Sequence, residues 1–283
     1  MKILVTGATG FIGKYVVKHL LSKDYEVIAS GLETIEKSAF TGSKNPKYIS
    51  YNINNQSDSN LYNYFGEPDV LIHLAWTGLP NYKQLFHFEE NLMRDYFFIK
   101  NLIINGLKQV IVTGTCFEYG MQSGCLTETM PSQPTNPYGL AKDTLRRFLE
   151  QLQNIHPFVF QWVRLFYMYG EGQNPNSLIS LLDKALNDNA EEFKMSGGEQ
   201  LRDYLHVGTV GQIIAEIASQ QKITGIINCC SGSPISVRKL VENYIYYKAK
   251  TINLKLGHYP YPDYEPFAFW GDNTKLKTII DLK

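Results

Sequence analysis

The sequence has no long apolar run. No stretch reaches the roughly 18 consecutive apolar residues that suggest a membrane-spanning helix, so no span is expected. It also lacks an excess of either charge: 27 Lys and Arg stand against 27 Asp and Glu. A nucleic-acid binder usually carries a basic surplus, and the total shows none. Cysteine is scarce. The four residues, Cys116, Cys125, Cys229 and Cys230, include no C-x-x-C pair, which argues against a zinc module or a secreted disulfide scaffold. The histidines form no H-x-x-x-H or H-E-x-x-H pattern, so no metal site is expected. Met1-Lys2 runs directly into Ile3-Leu4-Val5, which leaves no room for a signal peptide in this reading. The expectation is a cytoplasmic protein without nucleic-acid or membrane partners.

What is present is the composition of a globular protein: 283 residues, 44% hydrophobic and 19% charged. That length buries a core without disulfide or metal staples. Residues 2–6 form a short apolar run that stops at glycine, as a buried parallel strand does. Residues 11–22 follow with helical apolar spacing. Further strands are predicted at 26–30, 48–53, 69–75, 110–113 and 158–166, and helices at 86–106 and 137–153. This alternation predicts an α/β fold, a doubly wound parallel sheet of Rossmann type. Beyond residue 166 the pattern loosens, with a helix predicted at 207–220, a strand at 226–230 and a tract rich in tyrosine and proline at 244–264. The expected organisation is a dinucleotide-binding domain over 1–166 and a smaller α/β substrate domain over 167–283. Segments at about 204–230 are expected to pack back on the first domain.

Between the first strand and first helix lies Thr6-Gly7-Ala8-Thr9-Gly10-Phe11-Ile12-Gly13. Glycines at G-x-x-G-x-x-G spacing permit a tight turn and let backbone amides approach a pyrophosphate, which the helix N-terminus also favours. The strand–loop–helix context makes this a dinucleotide fingerprint. The second predicted strand ends Ala29-Ser30-Gly31-Leu32, and its first acid, Glu33, comes late. An NAD-selective site places an acid near that end to bind the ribose 2′-hydroxyl. Its absence favours NADP(H) over NAD(H). Lys14 is a candidate for the 2′-phosphate or a solvated lysine, with Lys37 and Lys44 as looser candidates.

Asn136-Pro137 suits the N-cap and first position of a helix. Tyr138 and Lys142 are then i and i+4, on one helical face. A lysine beside a tyrosine at a helix N-terminus favours the phenolate, so the pair can do acid–base work. A hydroxyl segment, Val112-Thr113-Gly114-Thr115-Cys116-Phe117-Glu118-Tyr119-Gly120, follows the fifth strand, where open α/β sheets bind ligands.

With these motifs, and with 68–75 (PDVLIHLA), Asn91, 164–170 (RLFYMYG) and 202–207 (RDYLHV), nearly the whole chain resembles the extended short-chain dehydrogenase/reductases. These are the NAD(P)-dependent epimerase/dehydratases of nucleotide sugars. The resemblance implies Thr115, Tyr138 and Lys142 as the catalytic trio. Thr115 would hold the reacting oxygen, Tyr138 act as general acid or base, and Lys142 hold the nicotinamide ribose and tune Tyr138. It implies cofactor contacts from Gly7, Gly10, Phe11, Ile12, Gly13, Lys14, Asn52, Ile53, Leu74, Ala75, Trp76, Asn91, Thr113 and Leu165. Substrate contacts would come from Thr77, Glu118, Tyr167 and Arg202. Arg202 would meet the diphosphate or ribose; the alternative is a salt bridge with Asp203. Glu118 would meet a sugar hydroxyl or solvent. His73 and His206 are read as structural, and the late aromatic residues mainly as packing.

The surroundings of the trio narrow the reaction. Sugar 4,6-dehydratases carry Asp and Glu after the hydroxyl, and here those positions hold Cys116 and Phe117, which cannot do carboxylate work. Cys116 is also one place too early for the reactive cysteine of epimerase/reductases. The tail 264–273 (YEPFAFWGDN) resembles reductases that make the 6-deoxy sugars of bacterial surface polysaccharides, such as CDP-abequose or dTDP-fucose synthases. The leading expectation is NADPH-dependent reduction of the C4 ketone of a nucleoside-diphosphate 4-keto-6-deoxyhexose. The alternatives are a 4-epimerase with bound NAD and a non-catalytic NADP sensor or scaffold. The family resemblance also implies a homodimer through the helices at 86–106 and 137–153.

Overall fold

In the computed structural model, residues 1–34, 40, 45–55 and 59–281 are described. Lys37 and Lys44 lie outside them. The first half runs β1 (Lys2–Thr6), α1 (Gly13–Ser22), β2 (Glu26–Gly31), β3 (Lys47–Ser50), α2 (Leu61–Tyr64) and β4 (Val70–His73). A π-helical turn, His87–Asn91, leads into α3 (Leu92–Ile104). Then come β5 (Gln109–Thr115), a 3-10 turn (Cys116–Tyr119), β6 (Gly124–Leu126), α4 (Pro137–Ile155) and β7 (Val159–Leu165). The second half holds β8 (Tyr167–Tyr169), α5 (Leu178–Asn187), β9 (Glu192–Lys194), β10 (Leu201–Arg202), β11 (Tyr204–His206), α6 (Val207–Ala218) and β12 (Gly225–Cys229). It ends with β13 (Ile235–Ser236), α7 (Val237–Tyr247), β14 (Asn253–Lys255), β15 (Phe269–Gly271) and α8 (Thr274–Lys277).

Seven strands form one sheet in the order β12-β7-β5-β4-β1-β2-β3, parallel throughout. This is the expected Rossmann-type architecture. The order reverses between β1 and β4, and ligands bind in the crevice at such a switch point. Register brings the strand ends level: Thr6 pairs with Ser30 and His73, Thr115 with Leu165, and Leu165 with Cys229.

Alternation along the strands feeds two cores. Ile3 and Val5 face α1 and α6, packing with Val16, Leu20, Ile213 and Ile217. Leu4, Val110, Val112 and Trp162 face α3 and α4, packing with Ile99, Leu102, Leu145 and Leu149. All of these are buried, and their period of two is what a sheet covered on both faces requires. From the second half, α6 lies against α1 and β12 extends the sheet beside β7. A separate cluster around Leu182, Phe193, Leu240 and Val241 joins α5 to α7.

Strand β5 is longer than its apolar run predicts, because Thr113-Gly114-Thr115 continues the ladder against Val163–Leu165. Helix α7 was hidden by its exposed tyrosines: only Leu240 and Val241 are buried, while Tyr246 and Tyr247 face solvent. Among the described residues, no helix is long and apolar enough to cross a membrane.

Candidate active site

The glycine loop is as tight as its sequence suggests. Gly7 has φ +66°, and a Cβ there would lie 2.8 Å from the Ala75 amide nitrogen. A Cβ on Gly13 would lie 2.2 Å from the Gly7 carbonyl oxygen. Only glycine lets α1 begin this close to β1 and β4. Ile12 occupies the N-cap of α1 and supplies no side-chain cap, which leaves the helix N-terminus to an anion. Phe11 packs near Gly172, and Lys14 is exposed on the first turn. Leu74, Ala75 and Trp76 follow β4 beside the loop. Asn52 and Ile53 follow β3, where Asn52 Oδ1 accepts from the Asn54 amide at 3.0 Å. This cradle fits a dinucleotide.

The end of β2 corrects one expectation. Glu33 does not stay remote: it turns back, and Thr9 Oγ1 donates to its Oε2 at 2.5 Å. Tyr48 Oη donates to the Glu33 carbonyl at 2.9 Å. The carboxylate lies over Gly31, where an added Cβ would meet it at 2.8 Å. An acid therefore stands between the glycine loop and the end of β2, although it is three residues past Ser30 in sequence.

Thr115 ends β5 and caps the 3-10 turn. Its Oγ1 accepts from the Phe117 amide at 3.3 Å. Asn136 Oδ1 accepts from the Gly139 amide at 2.8 Å, and Pro137 takes the first helical position as expected. The cap starts α4 beside β5, which brings Tyr138 next to the Thr115 side chain. The Tyr138 ring sits among Trp76 (6.1 Å between centroids), His87 (5.2 Å), Tyr82 (5.6 Å) and Phe117 (6.3 Å).

Lys142 is on the same helical face but directed elsewhere. Its Nζ donates to the Thr113 carbonyl at 2.9 Å and lies 3.9 Å from the centre of the Trp76 ring. The expected lowering of the Tyr138 pKa is not found. Burial, then the neighbouring Tyr82, raises the phenol instead. Burial also lowers Lys142 to about 8. The pair thus holds a neutral phenol and a destabilised cation, a poise suited to proton donation.

Glu118 is a second correction. It meets neither sugar nor solvent, being fully buried. Its carboxylate accepts from the Thr115 amide at 2.8 Å, Trp162 Nε1 at 2.9 Å and Arg164 Nε at 2.7 Å. Gly114 makes room for this, since a Cβ there would lie 2.1 Å from Trp162 Nε1 and 2.3 Å from Glu118 Oε1. Glu118 is a positioning residue that holds the backbone of Thr115. Arg164 belongs to a motif visible in the sequence, but its partner was not evident from it.

Arg202 is the third correction. It pairs with Glu265, not with Asp203: its Nη2 donates to Glu265 Oε1 at 2.8 Å. Its Nη1 donates to the carbonyls of Leu201 and Phe267 at 2.8 and 2.9 Å. Tyr167 Oη donates to the other Glu265 oxygen. Asp203 instead accepts from the amides of Ser231 and Gly232 at 2.7 and 2.9 Å. Arg202 and Asp203 are both buried, so the guanidinium expected to meet a diphosphate is held by an internal carboxylate.

Thr77 Oγ1 donates to Asn91 Oδ1 at 2.9 Å, and Asn91 Nδ2 donates to the Thr77 carbonyl at 3.0 Å. This pins the segment after β4 to the π-helical turn that leads into α3. Arg94, which the sequence reading missed, reaches Thr77 Oγ1 at 3.1 Å. Leu165 ends β7, and Thr113 lies two residues before the end of β5, paired with Val163. His73 Nδ1 lies 2.9 Å from Thr6 Oγ1, while its Nε2 is 3.7 Å from Asp95 Oδ1, so this core histidine is only half satisfied. His206 accepts from the Gly208 amide at 3.1 Å and caps α6. A cavity of about 1260 Å³ between α5 and α7 is lined by none of the Thr115–Tyr138–Lys142 group.

Known proteins resemble this chain along most of its length. Residues 3–230 match the NAD dependent epimerase/dehydratase family. A dTDP-6-deoxy-L-talose 4-dehydrogenase (NAD(+)) of Aggregatibacter actinomycetemcomitans is 33% identical over 96% of this chain and 99% of its own. A CDP-abequose synthase of Yersinia pseudotuberculosis is 24% identical over 100% of this chain and 99% of its own. The solved structure of MoeE5 with UDP-glucuronic acid and NAD shares the fold, with a TM-score of 0.82, 24% identity, and coverage of 99% and 92% of the two chains. A family match over most of the length, joined to a glycine cradle at the switch point of the sheet, places this chain in the NAD-dependent epimerase/dehydratase family.

Proposed function

We propose that this protein catalyses reversible hydride transfer at C4 of a nucleoside-diphosphate 6-deoxyhexose, working as a 4-ketoreductase on the 4-keto sugar. The observation that carries this reading is the Thr115–Tyr138 hydroxyl pair at the C-terminal end of β5, beside the glycine cradle. A bound nicotinamide dinucleotide supplies the hydride donor or acceptor. Gly7, Gly10, Gly13 and the N-terminus of α1 would hold its pyrophosphate, and Leu74, Ala75, Trp76, Thr113 and Leu165 would border it. Thr115 hydrogen-bonds the C4 oxygen. Tyr138 gives that oxygen its proton during reduction and takes the proton back during oxidation. Lys142, one helical turn on, would stabilise the phenolate that forms as Tyr138 gives up its proton. The dTDP-6-deoxy-L-talose 4-dehydrogenase relative supports the reading, because a 4-dehydrogenase and a 4-ketoreductase run one reaction in opposite directions.

The cofactor reading changes from that of the sequence. Glu33 beside Thr9 would accept from a ribose hydroxyl and repel a 2′-phosphate, which supports NAD(H) over NADP(H). The same acid favours a second reading, a 4-epimerase that retains NAD.

Both readings meet in one assay. The protein is incubated with dTDP- and CDP-4-keto-6-deoxyglucose and either NADH or NADPH. Stoichiometric NADH consumption, faster than NADPH, is expected. Tyr138→Phe should lower turnover by about 10²–10⁴-fold while NADH affinity changes little. No NADH consumption with either ketone, together with inversion at C4 when a dTDP-hexose bearing a C4 hydroxyl is incubated with the protein and NAD⁺, would favour the epimerase.

A further inference from the structure

The Tyr138 phenol has two unlike flanks. One is polar: Trp76 Nε1 donates to His87 Nδ1 at 3.0 Å, and the Lys142 ammonium lies on the Trp76 face. The other is a wall of rings. Tyr82 and Phe117 lie 4.9 Å apart, and Tyr264 meets them at 6.2 and 6.1 Å. Burial pushes the Tyr82 hydroxyl up to about 12, so that ring is uncharged at neutral pH. Cys116, next to Phe117, is buried and its thiol is also pushed up by burial.

The wall is preorganised. The Tyr138 amide donates to the Tyr82 carbonyl at 3.1 Å. His87 Nε2 lies 3.0 Å from the Asn81 carbonyl. The Phe117 amide donates a hydrogen bond to Thr115 Oγ1 at 3.3 Å, and Gly139 lets the first turn of α4 lie against Phe117, since a Cβ there would meet the Phe117 carbonyl oxygen at 2.8 Å. Tyr264 comes from the second half of the chain, and its neighbour Glu265 is anchored to Arg202.

We propose that Phe117, Tyr82 and Tyr264 form a seat for the C6 methyl group of the sugar, with Phe117 setting selectivity against a 6-hydroxymethyl group. The seat rests on the reading of Thr115 and Tyr138 as the site of the C4 oxygen. C6 is borne by C5, the ring neighbour of C4, so its substituent packs against whatever flanks that oxygen. A methyl gains contact with the rings. A hydroxymethyl would place a hydroxyl against them without a partner.

The test uses pairs of dTDP-hexoses that differ only in a methyl or hydroxymethyl at C5, each oxidised at C4 with NAD⁺. The wild type should favour the methyl sugar by roughly 100-fold in kcat/KM, the usual limit for an apolar pocket rejecting an added hydroxyl. Phe117→Ser should reduce that preference to under about 10-fold, chiefly by gaining on the hydroxymethyl sugar. Phe117→Leu should keep the preference, which separates polarity from misfolding. Equal rates for the two sugars in the wild type would overturn the seat and leave C4 hydride transfer standing, as would an unchanged preference in Phe117→Ser. Failure to oxidise either sugar would overturn the hydride-transfer reading and the seat with it.

Discussion

Lys142 is a cation with almost no water. One carbonyl and one indole face are its neighbours, and its pKa near 8 lies below the ordinary 10.5. The unfolded chain therefore holds this proton more tightly than the folded one. By linkage, wild-type stability rises with pH between the two values, as the folded lysine loses the proton that burial disfavours. Below pH 8 the folded protein still bears the penalty. Lys142→Met should thus be more stable than wild type at about pH 7, and the gap should narrow by roughly half by about pH 9.5. Urea denaturation at both values reads this directly, and a Met variant no more stable at the lower pH would refute it. The reason to keep a destabilising residue is then functional. Glu118 is buried too, and burial raises its pKa despite Arg164. Arg164 and two N–H donors bind its carboxylate, so it holds Thr115 in place without facing the cleft.

At the scale of elements, the β1–α1 connection and the β5–α4 pair act as two rigid brackets. The first is held by contacts that admit no Cβ. Gly13→Ala would push a methyl into the Gly7 carbonyl oxygen. Overpacking of this kind costs about 1–3 kcal/mol, and here the relief must come from the loop meant for the pyrophosphate. The expected result is lower stability together with at least a roughly tenfold rise in the NADH Kd, each 1.4 kcal/mol being about one decade. Gly66→Ala is the control. That residue has φ +75° with open space around it, so alanine should cost stability through backbone strain and leave the NADH Kd unchanged. Fluorescence titration of both variants distinguishes a cofactor cradle from a merely tight turn. The second bracket was readable in part. Asn136-Pro137 announces the start of α4, yet the closeness of Gly139 to Phe117 comes only from how α4 lies on the 3-10 turn.

For the whole molecule, the outer faces of α3 and α4 remain to be covered. Met93, Phe97 and Ile104 on α3 and Leu140, Phe148 and Ile155 on α4 are each at least 37% exposed. Tyr96 and Phe148 touch at 5.4 Å, so the two sets share one surface. Contiguous apolar surface of this kind marks an interaction site, and we propose that a second copy of the chain covers it by two-fold symmetry. Sedimentation of the wild type should give a particle twice the 32.3 kDa chain. Phe97→Arg with Phe148→Arg should halve that mass and spare NADH binding. A wild type already at monomer mass would exclude this homodimer.

Local patterns determined the strand, glycine loop and helix of β1–α1, the cap of α4, and the alternation that packs both faces of the sheet. Each depends on residues a few positions apart, so composition and spacing suffice to show it. The family motifs, being runs of neighbours, were equally legible. Tertiary structure decided where long side chains end. Glu33 returns to Thr9, 24 positions before it. Arg202 finds Glu265, 63 positions on, in place of adjacent Asp203. Tyr82, Phe117 and Tyr264 become one wall although they lie far apart in the chain. A buried charge or ring must take the partner that packing brings within reach, and that partner is fixed by how the elements stack, which spacing along the sequence does not encode.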